Sequence, residues 1–333
     1  MKPRILVIRG GAIGDFVLTL PALRLLREAF GHCDLVLLGY RHILELANGR
    51  YYADETRSIE YGPLSRFFIP DAELDEALVH FFGTFQQVIS YVYDPDRFFQ
   101  TNIEKCGVKN FLRGNPKIND RKHAVEQLAE PLQRLALYLD NPAPRLYPTE
   151  QDRARASELL GDLPRPFLAI HPGSGSPKKN WPVQKFLQLI GQLDAVEKEV
   201  PLVILGGEAD YERIEELHPA LHSRPHRVLK ALTLPEVAAV LEQAKFYLGH
   251  DTGISHIAAA TGTRCLLLFG PTDPDIWAPP VPQVTVIRGE PVEDEEKSWE
   301  ELEEEEGPVR PSVTTISVEA VLDGLKQAWA QET

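Results

Sequence analysis

Cysteine is scarce in this sequence, and long apolar runs are missing. The 333 residues include three cysteines, Cys33, Cys106 and Cys265, which are widely spaced. This spacing excludes a disulfide scaffold and a cysteine-rich zinc site, and it is typical of a protein in a reducing compartment. No apolar run approaches membrane-spanning length, and Met1–Arg4 leads into a strand-like run without a signal-peptide pattern. We therefore expect a cytoplasmic protein without a transmembrane segment.

A surplus of basic residues is also missing. The chain has 35 lysines and arginines against 49 acids, a net charge of −14. Residues 290–306 hold eleven acids and one lysine and so account for −10 of this charge, which leaves −4 for the rest of the chain. Such a distribution excludes the basic footprint of a nucleic-acid-binding protein. We expect the acidic segment 290–306 to be a solvated or disordered loop.

The sequence does contain a repeated alternation of short apolar runs and amphipathic helical patterns. This alternation predicts parallel sheets with helices on both faces. A proline-rich stretch without periodicity, Asn141–Pro148, separates two such series. We therefore predict an α/β fold with two doubly wound, Rossmann-like domains that face each other across a cleft. The predicted boundaries are 1–148, 149–315 and a terminal helix at 316–333 that packs back on the first domain.

The first apolar run ends at Arg9 and is followed by the glycine-rich turn Gly10–Gly14. The turn suggests a dinucleotide-binding motif, but Arg9 stands where the first glycine is needed and no acid ends the next strand. Gly11 and Gly14 would still let another group approach the backbone closely. Asp15, at the start of the following helix, either caps that helix or faces a ligand.

Prolines interrupt several patterns. Pro21 predicts an irregular first turn in the first helix, or a regular helix that begins near Thr19. Asp94-Pro-Asp96 and Asp273-Pro-Asp275 have the spacing of an acid pair that binds a divalent cation. The proline between each pair of acids favours a turn instead, and we expect no metal site there.

Three strand ends in the second half carry residues suited to a nucleoside diphosphate, because ligands of open parallel sheets bind at the carboxyl ends of the strands. They are followed by the loop Gly173–Ser176 with Lys178 and Lys179, by Glu208, and by Asp251–His256. Exposed backbone N–H groups, lysines and a helix N-terminus all attract phosphate, and an acid can accept hydrogen bonds from a ribose diol. The structural alternatives are a surface turn, an acid that favours a helix dipole, and a capped helix with a core histidine. Three such features at one edge favour a nucleotide-diphosphate site.

Four stretches resemble glycosyltransferase family 9, the bacterial lipopolysaccharide heptosyltransferase family. They are Ile5–Ala22, Ile170–Pro182, Gly206–Glu208 and Leu248–Thr272. The resemblance implies a GT-B fold and an inverting, metal-independent enzyme that needs no cofactor. Its implied substrates are a nucleoside-diphosphate sugar, commonly ADP-heptose, and a lipid-linked glycan of the lipopolysaccharide core or another envelope glycan. Such an enzyme would work in the cytoplasm or at the inner face of the cytoplasmic membrane.

The resemblance also implies roles for individual residues. Asp15 is the general base, and Gly11 and Gly14 form the loop beside it on the acceptor side. The implied donor-binding residues are Ser174, Ser176, Lys179, Glu208, Asp251, Thr252, Gly253 and His256. Of these, Ser174, Ser176 and Lys179 would hold the diphosphate. Glu208 would hold the ribose, Thr252 and Gly253 would meet the phosphates, and Asp251 and His256 would touch the donor sugar or a phosphate.

Three other functions are compatible with parts of the sequence. A sugar-nucleotide 2-epimerase of the same architecture would convert its substrate without an acceptor. A non-catalytic nucleotide-sugar-binding protein would keep the fold and lose turnover, although Asp15, Lys179, Glu208 and His256 together favour an enzyme. A nicotinamide-dependent oxidoreductase is disfavoured by the missing first glycine. The nucleobase, the sugar, the acceptor and the oligomeric state stay open at this point.

Overall fold

The structure is a computed structural model that describes residues 2–292 and 310–330. The chain divides into two compact units. The first comprises Met1–Gln151 with Thr233–Pro235, and the second comprises Asp152–Leu232 with Glu236–Thr333. Most of the acidic segment 290–306 lies outside the described residues, so its loop conformation stays a prediction.

The first unit is built on a five-stranded parallel sheet in the order β3–β2–β1–β4–β5. Its strands are β1 (Arg4–Arg9), β2 (Asp34–Gly39), β3 (Glu55–Ser58), β4 (Gln87–Ser90) and β5 (Phe111–Arg113). Its helices are α1 (Ile13–Ala29), α2 (Arg41–Leu44), α3 (Glu76–Gly83), α4 (Phe98–Lys105) and α5 (Ala124–Ala129). A central strand covered on both faces must be apolar throughout, and Leu6, Val7 and Ile8 of β1 are at most 1% exposed.

Helix α1 does not show the predicted effect of Pro21. The helix begins at Ile13 and contains Pro21 in its interior, so the prediction of a regular start near Thr19 is wrong. An interior proline removes a backbone hydrogen bond and costs about 3 kcal/mol. Every residue from Phe16 to Leu26 is buried, and this apolar burial offsets the cost.

The second unit is built on a six-stranded parallel sheet in the order β11–β10–β9–β6–β7–β8. Its strands are β6 (Leu168–Ile170), β7 (Leu202–Gly206), β8 (His226–Lys230), β9 (Phe246–His250), β10 (Arg264–Phe269) and β11 (Val284–Arg288), with a separate antiparallel pair, β12 (Pro291–Val292) and β13 (Arg310–Pro311). The helices are α6 (Glu150–Leu160), α7 (Val183–Gln192), α8 (Tyr211–Leu221), α9 (Leu234–Glu242), α10 (Gly253–Ala260), α11 (Pro274–Trp277) and α12 (Val318–Ala330). None of the helices in the described ranges combines the length and the apolarity that crossing a bilayer requires.

The terminal helix α12 is part of the second unit and does not form a separate segment. It contacts α7, β10 and β11, and it buries Val321, Leu325 and Trp329 in the main core of that unit. An amphipathic helix must cover its apolar face, and here this sheet and α7 cover it. The predicted division at 315/316 is corrected accordingly, and the packing of this helix on the first domain stays a prediction.

Candidate active site

Each sheet changes its winding direction at one pair of neighbouring strands. In the first unit β1 pairs with β2 on one side and with β4 on the other. In the second unit β6 lies between β7 and β9 in the same way. Ligands of open α/β sheets bind outside the carboxyl ends of the strands at such a switch point. The loop after β1 and the loops after β6 and β9 therefore define two candidate half-sites, one in each unit.

Asp15 lies at the first half-site, in the first turn of α1. Its Oδ2 accepts a hydrogen bond from the backbone N–H of Ala12 at 2.9 Å, and its Oδ1 lies 3.4 Å from Nη2 of Arg9. The Asp15 side chain is 27% exposed, so part of the carboxylate faces solvent. Capping of the helix and contact with a ligand are therefore compatible at this residue.

Arg9 holds this carboxylate in place. Its side chain is almost fully buried, donates from Nε to Oγ1 of Thr19 at 3.2 Å, and lies over the ring of Tyr91 with Cζ 5.6 Å from the ring centroid. Burial lowers the pKa of Arg9, and the charge of Asp15 opposes that effect. Since arginine stays protonated in proteins, the guanidinium and the carboxylate form an ion pair. This role could not be predicted from the sequence, where Arg9 is notable only because it replaces the first glycine of a dinucleotide-binding motif.

The glycines beside Asp15 have a steric role. Gly11 has a φ of +100°, and a Cβ at this position would lie 2.7 Å from Oδ2 of Asp15. A side chain there would be strained and would displace the carboxylate. Gly14 is the second residue of α1, so the predicted loop at Gly11 and Gly14 spans the turn and the helix start.

An ion pair joins the two loops of the second half-site. Nζ of Lys179, in the loop after β6, lies 2.6 Å from Oδ2 of Asp251, which directly follows β9. The same oxygen accepts a hydrogen bond from the hydroxyl of Thr272 at 2.7 Å, and Nε2 of His256 lies 3.9 Å from Oδ1. The Lys179 side chain is 27% exposed and that of Asp251 only 9%. An ammonium has three N–H donors, so Lys179 can keep Asp251 and still donate to a phosphate.

The N-terminus of α10 lies beside this pair. Thr252 caps the helix, and its Oγ1 accepts from the N–H of Ser255 at 3.4 Å. No residue of the described ranges accepts a hydrogen bond from the N–H of Gly253 or Ile254. These bare N–H groups and the helix dipole attract an anion. The hydroxyl of Ser255 contacts the carbonyl of His250 and so supports the turn.

Glu208 is exposed in the turn after β7, and Asp210, two residues further on, stabilises this turn. Oδ2 of Asp210 accepts from the N–H of Gly207 at 2.8 Å and lies 3.2 Å from Nε2 of His171. Burial by itself would raise the pKa of Asp210, but the hydrogen bond and charge of His171, with the Gly207 N–H, outweigh it and hold the pKa below its usual range. The Glu208 carboxylate is left at the surface, where it can accept from a ribose diol.

The glycine loop after β6 is ordered by contacts that its sequence did not indicate. The hydroxyl of Ser174 donates to the carbonyl of Ser176 at 2.6 Å, and Nε of Arg213 donates to the carbonyl of Pro172 at 2.8 Å. A Cβ on Gly173 would stand only 1.6 Å from Oδ1 of Asp210. Ser174 thus uses its proton inside the loop, whereas within the described part of the chain the hydroxyl of Ser176 has no hydrogen-bond partner.

His250, at the end of β9, is a structural residue that sequence reasoning missed. It is fully buried, its Nε2 accepts from the backbone N–H of Trp181 at 2.9 Å, and its Nδ1 lies 3.2 Å from the carbonyl of Gly173. Acceptance at Nε2 places the proton of a neutral ring on Nδ1, which donates to Gly173. Burial lowers the pKa of His250 to about 3, so the ring is neutral at physiological pH. The imidazole ties β9 to both ends of the loop after β6.

The first Asp-Pro-Asp motif is a turn, as predicted. The second motif differs from the prediction, because Asp273 is the N-cap of α11 and Pro274 and Asp275 are the first two residues of that helix. Asp94 accepts hydrogen bonds from the N–H groups of Phe99 and Gln100, and Asp273 caps α11. Their carboxylates are therefore occupied by backbone donors. Across residues 2–292 and 310–330, no three His, Cys, Asp or Glu side chains are grouped so that they could hold a metal ion.

Comparison with known proteins links these half-sites to a family. The model of glycosyltransferase family 9 (heptosyltransferase) matches residues 109–306, more than half of the chain. The chain belongs to glycosyltransferase family 9. The resemblance carried by the four sequence stretches is thereby confirmed.

Curated relatives of this family 9 member include several lipopolysaccharide heptosyltransferases. Lipopolysaccharide heptosyltransferase 2 of Salmonella typhimurium is 31% identical over 159 residues, 45% of each chain. Lipopolysaccharide heptosyltransferase 1 of Pseudomonas aeruginosa is 26% identical over 295 residues, 81% of this chain and 79% of the relative. The chain spans about half the length of the Salmonella relative and of other curated relatives that it matches.

Two solved structures share the fold over nearly the whole family 9 chain. The family 9 glycosyltransferase of Veillonella parvula has a TM-score of 0.76 at 18% identity and covers 99% of this chain and 98% of its own. The E. coli ADP-heptose lipopolysaccharide heptosyltransferase II has a TM-score of 0.72 at 18% identity and covers 98% of both chains. They confirm the predicted GT-B class with two parallel sheets. At this identity the likeness concerns the fold alone, so the residue roles stay predictions.

Proposed function

We propose that this family 9 protein is an inverting, metal-independent glycosyltransferase. It moves a heptose from a nucleoside-diphosphate donor, ADP-heptose, to a glycan of the lipopolysaccharide core or a related envelope glycan. The observation that carries the proposal is the occupation of both switch points. The Lys179–Asp251 pair and the bare N-terminus of α10 stand at the switch point of one sheet, and Asp15 stands at that of the other.

Asp15 acts as the general base in this reaction. It takes the proton from an acceptor hydroxyl while the oxygen attacks the anomeric carbon and the bond to the diphosphate breaks. A single displacement of this kind inverts the anomeric configuration and needs no covalent intermediate on the protein. The ion pair with Arg9 and the hydrogen bond from Ala12 hold the carboxylate in one orientation.

The second half-site stabilises the leaving nucleoside diphosphate. Lys179, the hydroxyl of Ser176 and the N–H groups of Gly253 and Ile254 supply positive charge and donors for the phosphate oxygens. In other transferases a bound metal supplies this charge. Glu208 accepts from the ribose, and Asp251 and His256 contact the donor sugar or a phosphate.

The donor and the acceptor are inferred from the names of relatives. The curated relatives are lipopolysaccharide heptosyltransferases, and the solved E. coli enzyme is described as an ADP-heptose enzyme. We infer the same donor and acceptor classes here, with the enzyme acting in the cytoplasm or at the inner face of the cytoplasmic membrane. The proposed reaction uses no cofactor, because the nucleoside-diphosphate sugar is a substrate.

Product analysis with a panel of sugar nucleotides tests the proposal. A thermal-shift screen of ADP-, UDP-, GDP- and CDP-sugars first identifies the donor, and we expect the largest shift with ADP-heptose. Incubation with that donor and core glycans should then release ADP and yield a product with inverted anomeric configuration. Conversion of the sugar nucleotide without an acceptor would instead identify an epimerase. Tight binding without any turnover would identify a non-catalytic binding protein.

A further inference from the structure

An apolar pocket opens at the surface of the first unit, apart from every residue given a role above. Its volume is about 300 Å³, which is the lower end of the range for small-molecule sites. Leu64, Leu78, Phe81 and Phe82 line it and are buried, with exposures of 8% or less. Arg57, Tyr61 and Ala77 also line it and are exposed, so they form its rim.

The floor of the pocket is an aromatic cluster. The ring centroids of Phe81 and Phe82 are 5.2 Å apart, and Phe67 packs against Phe82 at 4.9 Å. Closely packed rings in these tilted and edge-on arrangements support one another from below. The pocket therefore presents a firm apolar surface that is suited to the methylene groups of a chain.

The rim carries one cation with free donors. The guanidinium of Arg57 lies over the Phe81 ring, with Cζ 4.2 Å from the centroid, and its Nε donates to Oε1 of Glu55 at 2.9 Å. No residue that the structure describes accepts a hydrogen bond from the two terminal NH2 groups of Arg57, and the side chain is 51% exposed. A planar fork of this kind matches a carboxylate or a phosphate.

The pocket shares a sheet edge with Asp15. Leu38, which lines it, pairs with Arg57 across β2 and β3. The next residue along β2, Gly39, pairs with Arg9 at the end of β1. Neighbouring strands are about 4.8 Å apart, so the rim at β3 stands roughly 10 Å along this edge from the end of β1.

We propose that this pocket binds a single alkyl chain that carries an anionic headgroup. The chain fills the space above Leu78, Phe81 and Phe82, and the headgroup pairs with the terminal NH2 groups of Arg57. Burial of methylene groups against the rings provides the main attraction. The pairing with Arg57 selects acids over neutral amphiphiles. The chain can belong to a free fatty acid or to the acyl part of the glycan acceptor, and only the second source rests on the proposed function.

Calorimetry on the full chain tests the pocket, with decanoate below its critical micelle concentration and decanol below its solubility limit. We expect Ala77→Phe to abolish binding of both compounds, because the new ring occupies the mouth. Arg57→Gln should weaken the binding of decanoate about tenfold and leave the binding of decanol unchanged, since it removes one charge-assisted hydrogen bond.

Two matched control variants should bind both compounds like wild type. They are Ala154→Phe, on the exposed face of α6, and Arg66→Gln, on the segment after Tyr61. An unchanged far-UV circular dichroism spectrum and an unchanged urea-unfolding curve in each variant show that the first unit is folded. Absence of decanoate binding, or equal binding in wild type and Ala77→Phe, overturns the proposal.

A second measurement separates the two sources. If the acceptor supplies the chain, Ala77→Phe should lower kcat/KM about tenfold or more for an acylated glycan acceptor and leave the deacylated glycan unaffected. If a free fatty acid is the ligand, Ala77→Phe should leave the ratio of kcat/KM for the two acceptors unchanged. The wild-type protein should then still bind decanoate in the presence of saturating acylated acceptor. Failure of the proposed transferase activity would leave the calorimetric result standing, so the two proposals fail independently.

Discussion

Asp15 shows how one carboxylate can serve both helix stability and chemistry. One oxygen accepts from the Ala12 N–H while the other faces Arg9, and about a quarter of the side chain is exposed. Helix N-termini favour acids in any case, so the first turn of α1 stabilises the residue that the proposed mechanism needs. The same logic places Asp251 next to the N-terminus of α10.

Replacement of Asp15 by Asn should separate binding from turnover. We expect kcat to fall roughly 10²- to 10⁴-fold, the usual contribution of a general base, while ADP affinity stays within twofold. Steady-state kinetics and calorimetry with ADP measure the two quantities. Asp75→Asn removes a carboxylate that caps α3 and should leave turnover unchanged. A wild-type kcat in Asp15→Asn would remove this residue from the mechanism.

Lys179→Ala should weaken binding of ADP. A charge-assisted hydrogen bond contributes about 1.5–3 kcal/mol, which corresponds to an affinity loss of about 10- to 150-fold. Calorimetric titration with ADP measures this loss. The neighbouring Lys178 is exposed and forms no ion pair within the described ranges, so Lys178→Ala is the control. A wild-type ADP affinity in Lys179→Ala would refute the role of Lys179 in phosphate binding.

At the scale of elements, the loop after β6 is held by residues from three different strands and helices. The loop backbone is contacted by His250, at the end of β9, and by Arg213, on α8. Asp210, after β7, leaves no space for a side chain at Gly173. The loop is turn-rich in sequence, yet these contacts fix its shape before any ligand arrives. Preorganisation of this kind reduces the entropy lost on binding.

Gly173→Ala should disrupt this loop, whereas Gly175→Ala should not. A Cβ at 173 would meet Oδ1 of Asp210 at 1.6 Å, but a Cβ at 175 has no atom within 4 Å. We expect a destabilisation of about 1–3 kcal/mol for Gly173→Ala, the usual cost of overpacking, together with weaker ADP binding. Thermal unfolding and calorimetry of the two variants give the comparison. Identical melting temperatures would mean that the loop adjusts and that its shape is not fixed by Asp210.

At the scale of the whole molecule, each unit has its own sheet and hydrophobic core. The tryptophans of the described ranges, Trp181, Trp277 and Trp329, lie in the second unit, and residues 1–151 contain no tryptophan. Tryptophan fluorescence therefore follows the unfolding of that unit alone, which avoids treating a two-unit chain as a single transition.

The second unit should lose stability in mild acid because of His250. Its pKa is about 3 in the folded state and near 6.5 in an unfolded chain. Between these values the unfolded state binds one more proton, so stability falls as the pH falls, by about 2 kcal/mol from pH 6.5 to pH 5. Urea unfolding followed by tryptophan fluorescence at pH 7 and pH 5 measures this loss. His250→Gln should reduce it by about that amount, and His222→Gln, which replaces an exposed imidazole, is the control. If His250→Gln lost as much stability between pH 7 and pH 5 as the wild type, His250 would not be the cause of the acid sensitivity.

The fold class could be predicted from the sequence, and the loops of the two candidate half-sites could be proposed from it. Alternating apolar runs and helical patterns are local signals, and two parallel sheets follow from them because strands joined by helices must run parallel. The glycine turn before Asp15, the glycine loop before Lys179 and the cap Thr252 were all visible as spacings. The predicted helix start near Thr19 was wrong. The prediction used only the low helix propensity of Pro21, and the burial of α1 in the tertiary structure offsets that cost.

Which polar side chains pair with one another could not be predicted from the sequence. Arg9 and Asp15 are near in sequence, but their pairing depends on Tyr91 and Thr19, which bury the guanidinium. Lys179 and Asp251 are 72 positions apart, and His171 and Asp210 are 39 apart. Such pairs form because neighbouring strands bring their carboxyl ends to one edge. The sequence predicts which loops share that edge, but it does not show which side chains of those loops pair.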